Sequence, residues 1–286
     1  MGEVTLYYIL FNPNSNIGNN LKINKKIKKL INKLKKIDSC YVINMFEINQ
    51  KEDIFLRQCK PEDHVVICGG DGTLDQFINR VSLDSIQCKL FLFPCGSGND
   101  FARDYKKHNN MIQINDILKK LPTVKVNNDE VYKFINGVGM GIDAHVCRSK
   151  NQYKFSQVNK SYFVISINSL KTFRPYSLDI EVDGTIKHYD NVWFAVCNHG
   201  RYMGGGMKVC PTAKREDEYL DVCVAHKYNL FKLVLLFPFI YLGLHVKFKN
   251  IDYFKCKKIK FIPDGCNISQ RDGEVLDYIR ELEVEI

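Results

Sequence analysis

The sequence lacks any apolar run long enough to cross a bilayer. Its longest such stretch, Leu233–Val246, spans 14 residues and contains Pro238 and His245, whereas a spanning helix needs ~18–20. No secretory leader precedes the first apolar run. We therefore expect a cytoplasmic protein that does not span a membrane, and peripheral contact with the inner membrane face is left open.

Cysteine pairs at a metal-binding or redox spacing are also missing. The chain has eleven cysteines but no C-x-x-C pair, and Cys68, Cys197 and Cys223 lie inside apolar runs. This scattered pattern disfavours a zinc site or a disulfide framework. The cysteines are predicted to be reduced residues of the core.

The composition excludes the non-globular classes. With 45% hydrophobic and 26% charged residues, the chain is unlike disordered, collagenous or coiled-coil sequences. A length of 286 residues suffices for one large domain or two modest ones. The net charge of +9 suits an anionic partner, but no nucleic-acid reader motif is present, so nucleic-acid binding is not expected.

Strand and helix patterns alternate in the first part of the chain. Strand-like runs at Thr5–Phe11, Asp63–Cys68 and Lys89–Phe93 each lead into a turn-rich or glycine-rich segment. Helical spacing of apolar residues follows in Leu21–Ile37 and Thr73–Val81. This alternation predicts an α/β, Rossmann-like domain over residues 1–122, with a parallel sheet covered by helices.

A β-rich pattern replaces this alternation near Pro122. The Asp183-Gly184 pair inside Tyr176–Asp190 is a strong hairpin signal. Helices are predicted only at Tyr162–Phe173 and in the apolar run from Leu230. Further strands are predicted at Asn191–Asn198, Tyr219–His226, Lys257–Ile262 and Leu282–Ile286. Residues 123–286 are therefore predicted to form a mainly antiparallel, sandwich-like second domain.

Two glycine loops carry the clearest chemical signal. Gly69-Gly70-Asp71-Gly72-Thr73 and Gly96-Ser97-Gly98-Asn99-Asp100 each lie between a predicted strand and a predicted helix. Such loops present backbone N–H groups to an anion, and both are expected at the carboxyl edge of the sheet, where ligands bind. Asp71 implies either an intervening Mg²⁺ or a hydrogen bond that braces the loop. A tight turn capped by an aspartate is the purely structural alternative.

The known nucleotide fingerprints are absent. No G-x-x-x-x-G-K-[ST] motif occurs, and Gly137-Val138-Gly139-Met140-Gly141 lacks the glycine spacing of a dinucleotide-binding loop. A phosphate site built on these two loops would belong to a different class.

Six motifs, in order along most of the chain, resemble the diacylglycerol kinase catalytic-domain family, in particular the soluble bacterial lipid kinases. The family also shares its Gly-Gly-Asp-Gly-Thr loop with sphingosine kinases and NAD kinases. The motifs are Asn12-Pro13-Asn14-Ser15, Gly69 to Asn79, Phe93 to Arg103, Phe134 to Val146, Gly204-Gly205-Gly206 with Pro211, and Asp272-Gly273-Glu274.

The resemblance implies a set of residues that contact ATP. They lie in the first turn, in the first glycine loop with the start of its helix, and in the second loop. The implied residues are Asn12, Pro13, Asn14, Ser15, Asn16, Gly70, Asp71, Gly72, Thr73, Leu74, Asp75, Gln76 and Ser97.

The resemblance also implies catalytic and metal-binding roles. Glu274 matches the glutamate that accepts the proton of the lipid hydroxyl, and Asp71 and Asp100 match acids that organise catalytic Mg²⁺. A structural Mg²⁺ site is implied at the Asp217 carboxylate and the backbone carbonyls of Lys214 and Tyr219. One carboxylate, two carbonyls and several waters suit the coordination of Mg²⁺.

Two positions depart from the family pattern. Asn16 stands where the family usually has glycine, although asparagine tolerates a positive φ better than most residues. Glu218 also replaces a usual glycine, directly before Tyr219. The second departure makes the structural metal site less secure than the nucleotide site.

The activity implied by the resemblance is ATP- and Mg²⁺-dependent phosphorylation of a lipid hydroxyl, with diacylglycerol as the expected acceptor and phosphatidic acid as the product. Catalysis is expected in the cleft between the two domains. A sphingoid base or phosphatidylglycerol is an alternative acceptor, and a catalytically silent lipid- or nucleotide-binding regulator is an alternative class. A homodimer is compatible with the sequence.

Two lysine-rich clusters leave membrane contact open. They are either solvated surface or docking sites for anionic lipid. The apolar run Leu233–Val246 is either a core helix kinked at Pro238, which is slightly favoured, or a segment that lies on the bilayer. The first cluster comprises Lys22, Lys25, Lys26, Lys28, Lys29, Lys33, Lys35 and Lys36, and the second Lys247, Lys249, Lys255, Lys257, Lys258 and Lys260.

Overall fold

The computed structural model describes residues 5–12, 25–45, 52–105, 110–155, 162–265 and 267–286. The chain divides into two units, Met1–Leu121 and Pro122–Ile286. Each unit has a β-sheet of its own. Within the described ranges, no helix has the length and apolar character needed to cross a membrane.

The first unit alternates strands and helices, as its sequence predicts. Its strands are β1 Tyr7–Phe11, β2 Cys40–Asn44, β3 His64–Gly69, β4 Lys89–Pro94 and β5 Ile112–Gln113. Its helices are α1 Lys25–Leu34, α2 Glu52–Gln58, α3 Asp71–Ile78, α4 Asp100–Arg103 and α5 Asn115–Leu118, with a short 3₁₀ turn at Leu83–Ser85.

The sheet of the first unit has the strand order β2-β1-β3-β4-β5. The first four strands are parallel and β5 is antiparallel to β4. The chain builds outward from β1 to β2 on one side and from β3 to β5 on the other. The strand order therefore reverses between β1 and β3, which is the point where doubly wound sheets bind ligands.

Helix α1 covers one face of this sheet with a continuous apolar stripe. Ile27, Leu30, Ile31 and Leu34 are buried there, against a cluster that includes the β3 residue Val66. Residues at this spacing share one side of a helix. The described lysines of the first cluster consequently occupy the outer side of α1 and the turn after it, while Lys22 lies outside the described residues.

The second unit is mainly antiparallel. Its strands are β6 Thr123–Val126, β7 Glu130–Lys133, β8 Gly137–Gly141, β9 Tyr176–Val182, β10 Thr185–Asn198, β11 Leu220–His226, β12 Ile251–Cys256, β13 Lys258–Asp264, β14 Ile268–Arg271, β15 Glu274–Asp277 and β16 Leu282–Glu285. Its helices are α6 Ile142–Phe155, α7 Tyr162–Thr172 and α8 Leu230–Leu242, with a 3₁₀ turn at His245–Lys247.

One long strand organises the second sheet. β10 pairs with β9 through its first half and with β8 and β11 through its second half. The pairing register shifts between these halves near Asn191, which has a φ of 55°. An irregularity of this kind bends a strand. The main order is β15-β14-β8-β10-β9-β13-β16-β6-β7, and β11 and β12 extend it beside β10.

The turn between β9 and β10 confirms the predicted hairpin. Asp183 and Gly184 have φ angles of 51° and 75°. Two consecutive positive φ values match the right-handed twist of the flanking strands, and aspartate followed by glycine adopts them at low cost.

The prediction of only two helices in the second unit was wrong, because α6 follows directly after β8. The segment continues a glycine-rich motif, and only its beginning, at Ile142 and Val146, shows apolar residues at helical spacing. The rest of the helix is rich in polar and charged residues. The pattern was therefore too weak to indicate a helix from periodicity alone.

The cysteines agree with their prediction as reduced core residues. The ten in the described ranges are all free, and eight of these are buried. Burial raises the pKa of the Cys68 and Cys197 thiols well above its usual value.

Candidate active site

The two predicted glycine loops lie in direct backbone contact. A Cβ atom added to Gly96 would lie 2.4 Å from the Cα of Gly70, and one added to Gly70 would lie 2.9 Å from the Cα of Gly96. Cys95 donates a backbone hydrogen bond of 2.9 Å to the carbonyl of Gly69. The expectation that both loops emerge together at one edge of the sheet is confirmed, and glycine is required where they meet.

Asp71 joins the first loop to the helix that follows the second. Its carboxylate accepts hydrogen bonds from the backbone N–H groups of Asp100 and Phe101, at 2.9 and 3.0 Å. The negative charge therefore lies at the first turn of α4, where N–H groups have no partner within the helix. Of the two roles that the sequence allows for Asp71, the structure contains the bracing hydrogen bonds.

Asn99 closes the second loop on itself, a role that sequence reasoning missed. Its Oδ1 accepts a hydrogen bond from the N–H of Gly96 at 2.9 Å, and its Nδ2 donates to the Gly96 carbonyl at 2.7 Å. Asn99 has a φ of 53°, in the left-handed region that asparagine tolerates. The sequence did contain a signal for this role, namely an asparagine three residues after a loop glycine.

The other residues implied in ATP contact fall into two groups. Thr73, Leu74 and Asp75 are buried at the start of α3, where the Thr73 side chain packs against Gly69 and Asp75 accepts a 3.2 Å hydrogen bond from Asn79. Gly72, Gln76 and Ser97 are exposed. Leu74 is fully buried, and the contacts of Gly72, Gln76 and Ser97 with ATP remain predictions.

The turn after β1 is only partly described. Asn12 follows β1 directly, beside the point where the strand order reverses between β1 and β3. Pro13, Asn14, Ser15 and Asn16 lie outside the described residues, so their predicted contacts with ATP and the departure at Asn16 remain predictions.

Asp100 begins α4 and is 4% exposed. The Nε of Arg103, one turn later, lies 3.3 Å from its Oδ1. The second acid of the predicted site is thus buried at the second loop, next to the backbone N–H that Asp71 binds.

Glu274 is exposed at the start of β15 in the second unit. Asp272 and Gly273, with φ angles of 50° and 92°, form the turn that precedes it. The Asp272 carboxylate accepts hydrogen bonds from three consecutive backbone N–H groups, residues 135–137, at 2.5–3.1 Å. Burial raises the pKa of Asp272, and these three donors oppose that shift. Sequence reasoning gave Asp272 no role, but this side chain anchors the turn that carries Glu274.

The predicted structural metal site already contains a cation from the chain. Lys255 places its ammonium 2.9 Å from the Asp217 carboxylate and 3.0 Å from that of Asp221, which is fully buried. Asp217 also accepts a 3.1 Å hydrogen bond from the N–H of Tyr219. The Lys214 carbonyl, one of the implied ligands, accepts a 3.2 Å hydrogen bond from the Asp217 N–H.

These side chains do not fit a bound Mg²⁺. Burial favours a lower pKa for Lys255, but its hydrogen bonds to Asp217 and Asp221 outweigh that effect and raise the pKa. The ammonium thus stays charged beside the only carboxylate implied as a ligand, and two cations would repel each other there. Glu218, the departure from the family pattern, pairs with Lys257 at 2.9 Å. The described residues contain no group of three or more His, Cys, Asp or Glu placed to hold a metal ion.

An apolar cavity lies inside the second unit. The space between its walls measures about 660 Å³ when its open mouth is included. Its walls are almost entirely aliphatic and aromatic. Four elements contribute to the lining, which includes Ile142 and Val146 from α6, Leu170 from α7, Phe194 from β10, and Leu233, Phe237 and Ile240 from α8.

Asp143 is the one acidic residue in the lining of this cavity. Its Oδ2 accepts a 3.0 Å hydrogen bond from Gln270, while its buried Oδ1 has no hydrogen-bond partner within the described ranges. Burial raises its pKa to about 6, against smaller opposing effects of Gln270 and of nearby backbone N–H groups. Sequence reasoning missed this carboxyl, although the glycine-rich motif before it was part of the resemblance.

Comparisons with known proteins agree with this arrangement. Residues 7–128 match the diacylglycerol kinase catalytic domain, and residues 136–282 match the YegS C-terminal NAD kinase beta sandwich-like domain. The chain belongs to the diacylglycerol kinase catalytic-domain family, as the sequence motifs indicate.

Several relatives can be named. YtlR of Bacillus subtilis, described as a provisional lipid kinase, is 25% identical, and the match covers 94% of this chain and 93% of that protein. A diacylglycerol kinase of Mycobacterium tuberculosis is 26% identical over 75% of this chain and 71% of its own. A crystal structure of a provisional diacylglycerol kinase from Bacillus anthracis has a TM-score of 0.69 at 19% identity, and covers 98% of this chain and 91% of its own. The likeness to that structure concerns the fold.

Proposed function

We propose that this protein is an ATP-dependent lipid kinase that transfers the γ-phosphate to a lipid hydroxyl, with diacylglycerol as the acceptor and phosphatidic acid as the product. Two relatives carry the names lipid kinase and diacylglycerol kinase. The observation that supports a lipid acceptor is the apolar cavity of the second unit, because a long aliphatic chain needs such a lining and a polar acceptor does not.

The triphosphate is proposed to bind the two glycine loops of the first unit. The close contact of Gly70 with Gly96 keeps the two loops side by side, and Asp71 holds the second loop in place. Backbone N–H groups held in this way stabilise negative charge without reorganising during the reaction. Asn12 and the exposed Gln76 and Ser97 would surround the same edge.

The catalytic cation is proposed to arrive with the nucleotide. Asp100, with Asp71 beside it, would hold it, since carboxylate oxygens are the protein ligands that Mg²⁺ prefers. When bound, Mg²⁺ neutralises charge on the phosphate oxygens. No such role is proposed for Asp217, whose carboxylate is paired with Lys255.

Glu274 is proposed to accept the proton of the lipid hydroxyl. The hydroxyl oxygen forms a bond to the γ-phosphorus while the bond from that phosphorus to the bridging oxygen breaks, which releases ADP. The Glu274 side chain makes no hydrogen bond or ion pair within the described part of the chain, and the anchored Asp272 turn and the pairing with β14 fix its backbone. Its carboxylate is thus available as a base.

A labelled-ATP assay against a panel of lipids tests the proposal. The panel contains diacylglycerol, a sphingoid base and phosphatidylglycerol, and each is assayed with wild type, Glu274→Ala and Asp129→Ala. Asp129 is an exposed carboxylate of the same unit, in the turn after β6, and serves as the control. Losing a general base typically costs ~10²–10⁴-fold in turnover.

We expect diacylglycerol to be the preferred acceptor, with that loss in Glu274→Ala and near wild-type turnover in Asp129→Ala. Preference for another lipid would reject diacylglycerol as the acceptor but would leave the proposed phosphate transfer to a lipid hydroxyl intact. Wild-type turnover in Glu274→Ala would remove Glu274 from the mechanism, and no transfer to any lipid would reject the kinase.

A further inference from the structure

Helix α8 and the segment after it expose a continuous apolar surface, which we call the docking face. Phe231, Leu235 and Leu242 are 72%, 55% and 64% exposed. Large apolar patches of this kind on a folded protein mark interaction sites. The full set is Leu230, Phe231, Val234, Leu235, Phe239, Tyr241, Leu242, Leu244 and Phe248.

The opposite side of α8 is buried and serves another purpose. Leu233, Leu236 and Ile240 lie in the core of the second unit, and Leu233 and Ile240 also line the apolar cavity. The helix is therefore apolar on all sides, whereas a surface helix normally carries polar residues on its outer side. The buried side agrees with the core-helix alternative for this run, and contact of the exposed side with a bilayer remains a prediction.

The ends of α8 are well defined, so the docking face has a fixed shape. The Asn229 side chain accepts a 2.9 Å hydrogen bond from the Lys232 N–H at the start of the helix. Gly243 ends it with a φ of 71°. Phe248, which follows the helix, packs its ring edge to face against that of Phe239 in α8, with the ring centroids 5.0 Å apart. The apolar surface thus continues past the end of the helix.

The charges of the segment that carries the docking face are all positive. Lys227 precedes α8, Lys232 lies in its first turn and Lys247 and Lys249 follow it, and the sequence from 227 to 249 contains no Asp or Glu. These four exposed lysines form no ion pair with a described residue. The other described members of the second lysine cluster differ: Lys255, Lys257, Lys258 and Lys260 are paired with carboxylates.

We propose that the docking face binds the surface of an anionic membrane. Its aromatic and leucine side chains would enter the boundary between headgroups and acyl chains, and the four lysines would lie at the level of the lipid phosphates. The helix that lines the lipid cavity from inside would then contact the bilayer from outside. The inference rests on the proposed function in one respect: it takes the membrane as the source of the lipid substrate.

The charge pattern favours a membrane over a second copy of the chain. A symmetric contact through the docking face would bring the same lysines of both copies together, with no acidic residue of this segment to balance them. An anionic bilayer offers phosphate groups to those lysines and an apolar interior to Phe231 and Leu235.

Sedimentation with vesicles tests the inference. Wild type and the double variant Leu235→Ser/Leu242→Ser are mixed with phosphatidylcholine vesicles containing about 30% phosphatidylglycerol, or none. Neither residue lines the cavity. Ile186→Ser is the control, because Ile186 is 60% exposed on the β9–β10 hairpin and is not part of the docking face.

We expect wild type to bind anionic vesicles, the double variant to bind at least about tenfold more weakly, which corresponds to ~1.4 kcal/mol, and Ile186→Ser to bind like wild type. Equal binding by the double variant, or indifference to lipid charge, would overturn the inference. So would a wild-type dimer that the double variant converts to a monomer without any change in vesicle binding.

Phosphorylation of a short-chain diacylglycerol dispersed in detergent separates this inference from the proposed function. The double variant should retain wild-type turnover with that substrate and lose it only with long-chain substrate in vesicles. If wild type binds vesicles but phosphorylates neither substrate, the kinase proposal fails and the docking face stands.

Discussion

Lys255 and Asp221 lie directly opposite each other on β12 and β11, and their charged atoms are 3.0 Å apart. The pairing of the two strands places the lysine side chain beside the buried carboxylate. Thr212 donates a further 2.8 Å hydrogen bond to the same carboxylate. The chain thus supplies the cation for its own buried acid.

The stability of the protein should therefore not depend on Mg²⁺ when no nucleotide is bound. We expect the same melting temperature in EDTA and in millimolar Mg²⁺. Lys255→Met should lower the stability by roughly 1–3 kcal/mol, because it leaves the buried Asp221 carboxylate without its cation. In that variant, Mg²⁺ should restore part of the loss. Differential scanning fluorimetry with and without EDTA measures both effects.

Lys257→Met is the matched control, since its pair with Glu218 is largely exposed. Exposed pairs contribute only about 0–1 kcal/mol, so this variant should melt close to wild type. A clear fall of the wild-type melting temperature in EDTA would show instead that a metal ion stabilises the loop.

Asp143 should make the stability depend on pH. Its pKa is raised from 3.8 to about 6 in the folded protein, so folding favours its protonated form. The stability contribution is therefore fully present below pH 4 and is lost as the pH rises through 6. Two pKa units correspond to roughly 3 kcal/mol as an upper bound.

Asp143→Asn removes this titration but keeps an acceptor for Gln270. We expect the stability of the variant relative to wild type to increase between pH 4 and pH 7. Urea unfolding at both pH values measures the difference, and comparing the two proteins cancels other titrating groups such as Asp272. A difference that does not change with pH would show that Asp143 titrates normally in the folded protein.

Short-range patterns predicted much of the fold. Alternation of strands, loops and helices gave the first unit, and Asp183-Gly184 gave the hairpin of the second. The meeting of Gly70 and Gly96 followed from the rule that parallel strands end at one edge of a sheet. In each case, a local sequence pattern or a general rule of sheet topology was sufficient.

Contacts between distant parts of the sequence could not be predicted. The pairing of Lys255 with Asp217 and Asp221 depends on the register of β11 and β12, which no local pattern reports. The burial of Asp143 depends on side chains from α6, α7, α8 and β10, and its hydrogen bond on Gln270 of β14. Family resemblance identified the loop of Asp217 but not the lysine that neutralises it.

The bracing role of Asp71 predicts an asymmetric effect of substitution. Asp71→Asn would turn an amide N–H₂ toward one of the two backbone N–H donors, at Asp100 or Phe101. The result would be one unsatisfied donor and a loss of about 1–3 kcal/mol. Asp71→Glu keeps both acceptor oxygens but moves them. We expect Asp71→Asn to lose ATP binding, measured by calorimetry, more than stability, since the second loop would no longer be held.

The contact between Gly70 and Gly96 predicts that the loops tolerate no side chain where they meet. Gly96→Ala would place its Cβ 2.4 Å from the Cα of Gly70, a separation that forces two backbone segments apart. Overpacking of this kind costs typically about 1–3 kcal/mol. Because the same shift separates the N–H groups proposed to hold the phosphates, affinity for ATP should fall by more than that destabilisation alone implies.

Gly72→Ala is the matched control for this prediction. An added Cβ at Gly72 meets no atom within 4 Å, and alanine is favoured over glycine inside a helix such as α3. Its stability should equal or exceed that of wild type, while its ATP affinity reports how closely a ligand approaches α3. Thermal unfolding and ATP titration of both variants separate the effects. A Gly96→Ala protein that binds ATP as wild type does would mean that the phosphates do not lie on the paired loops.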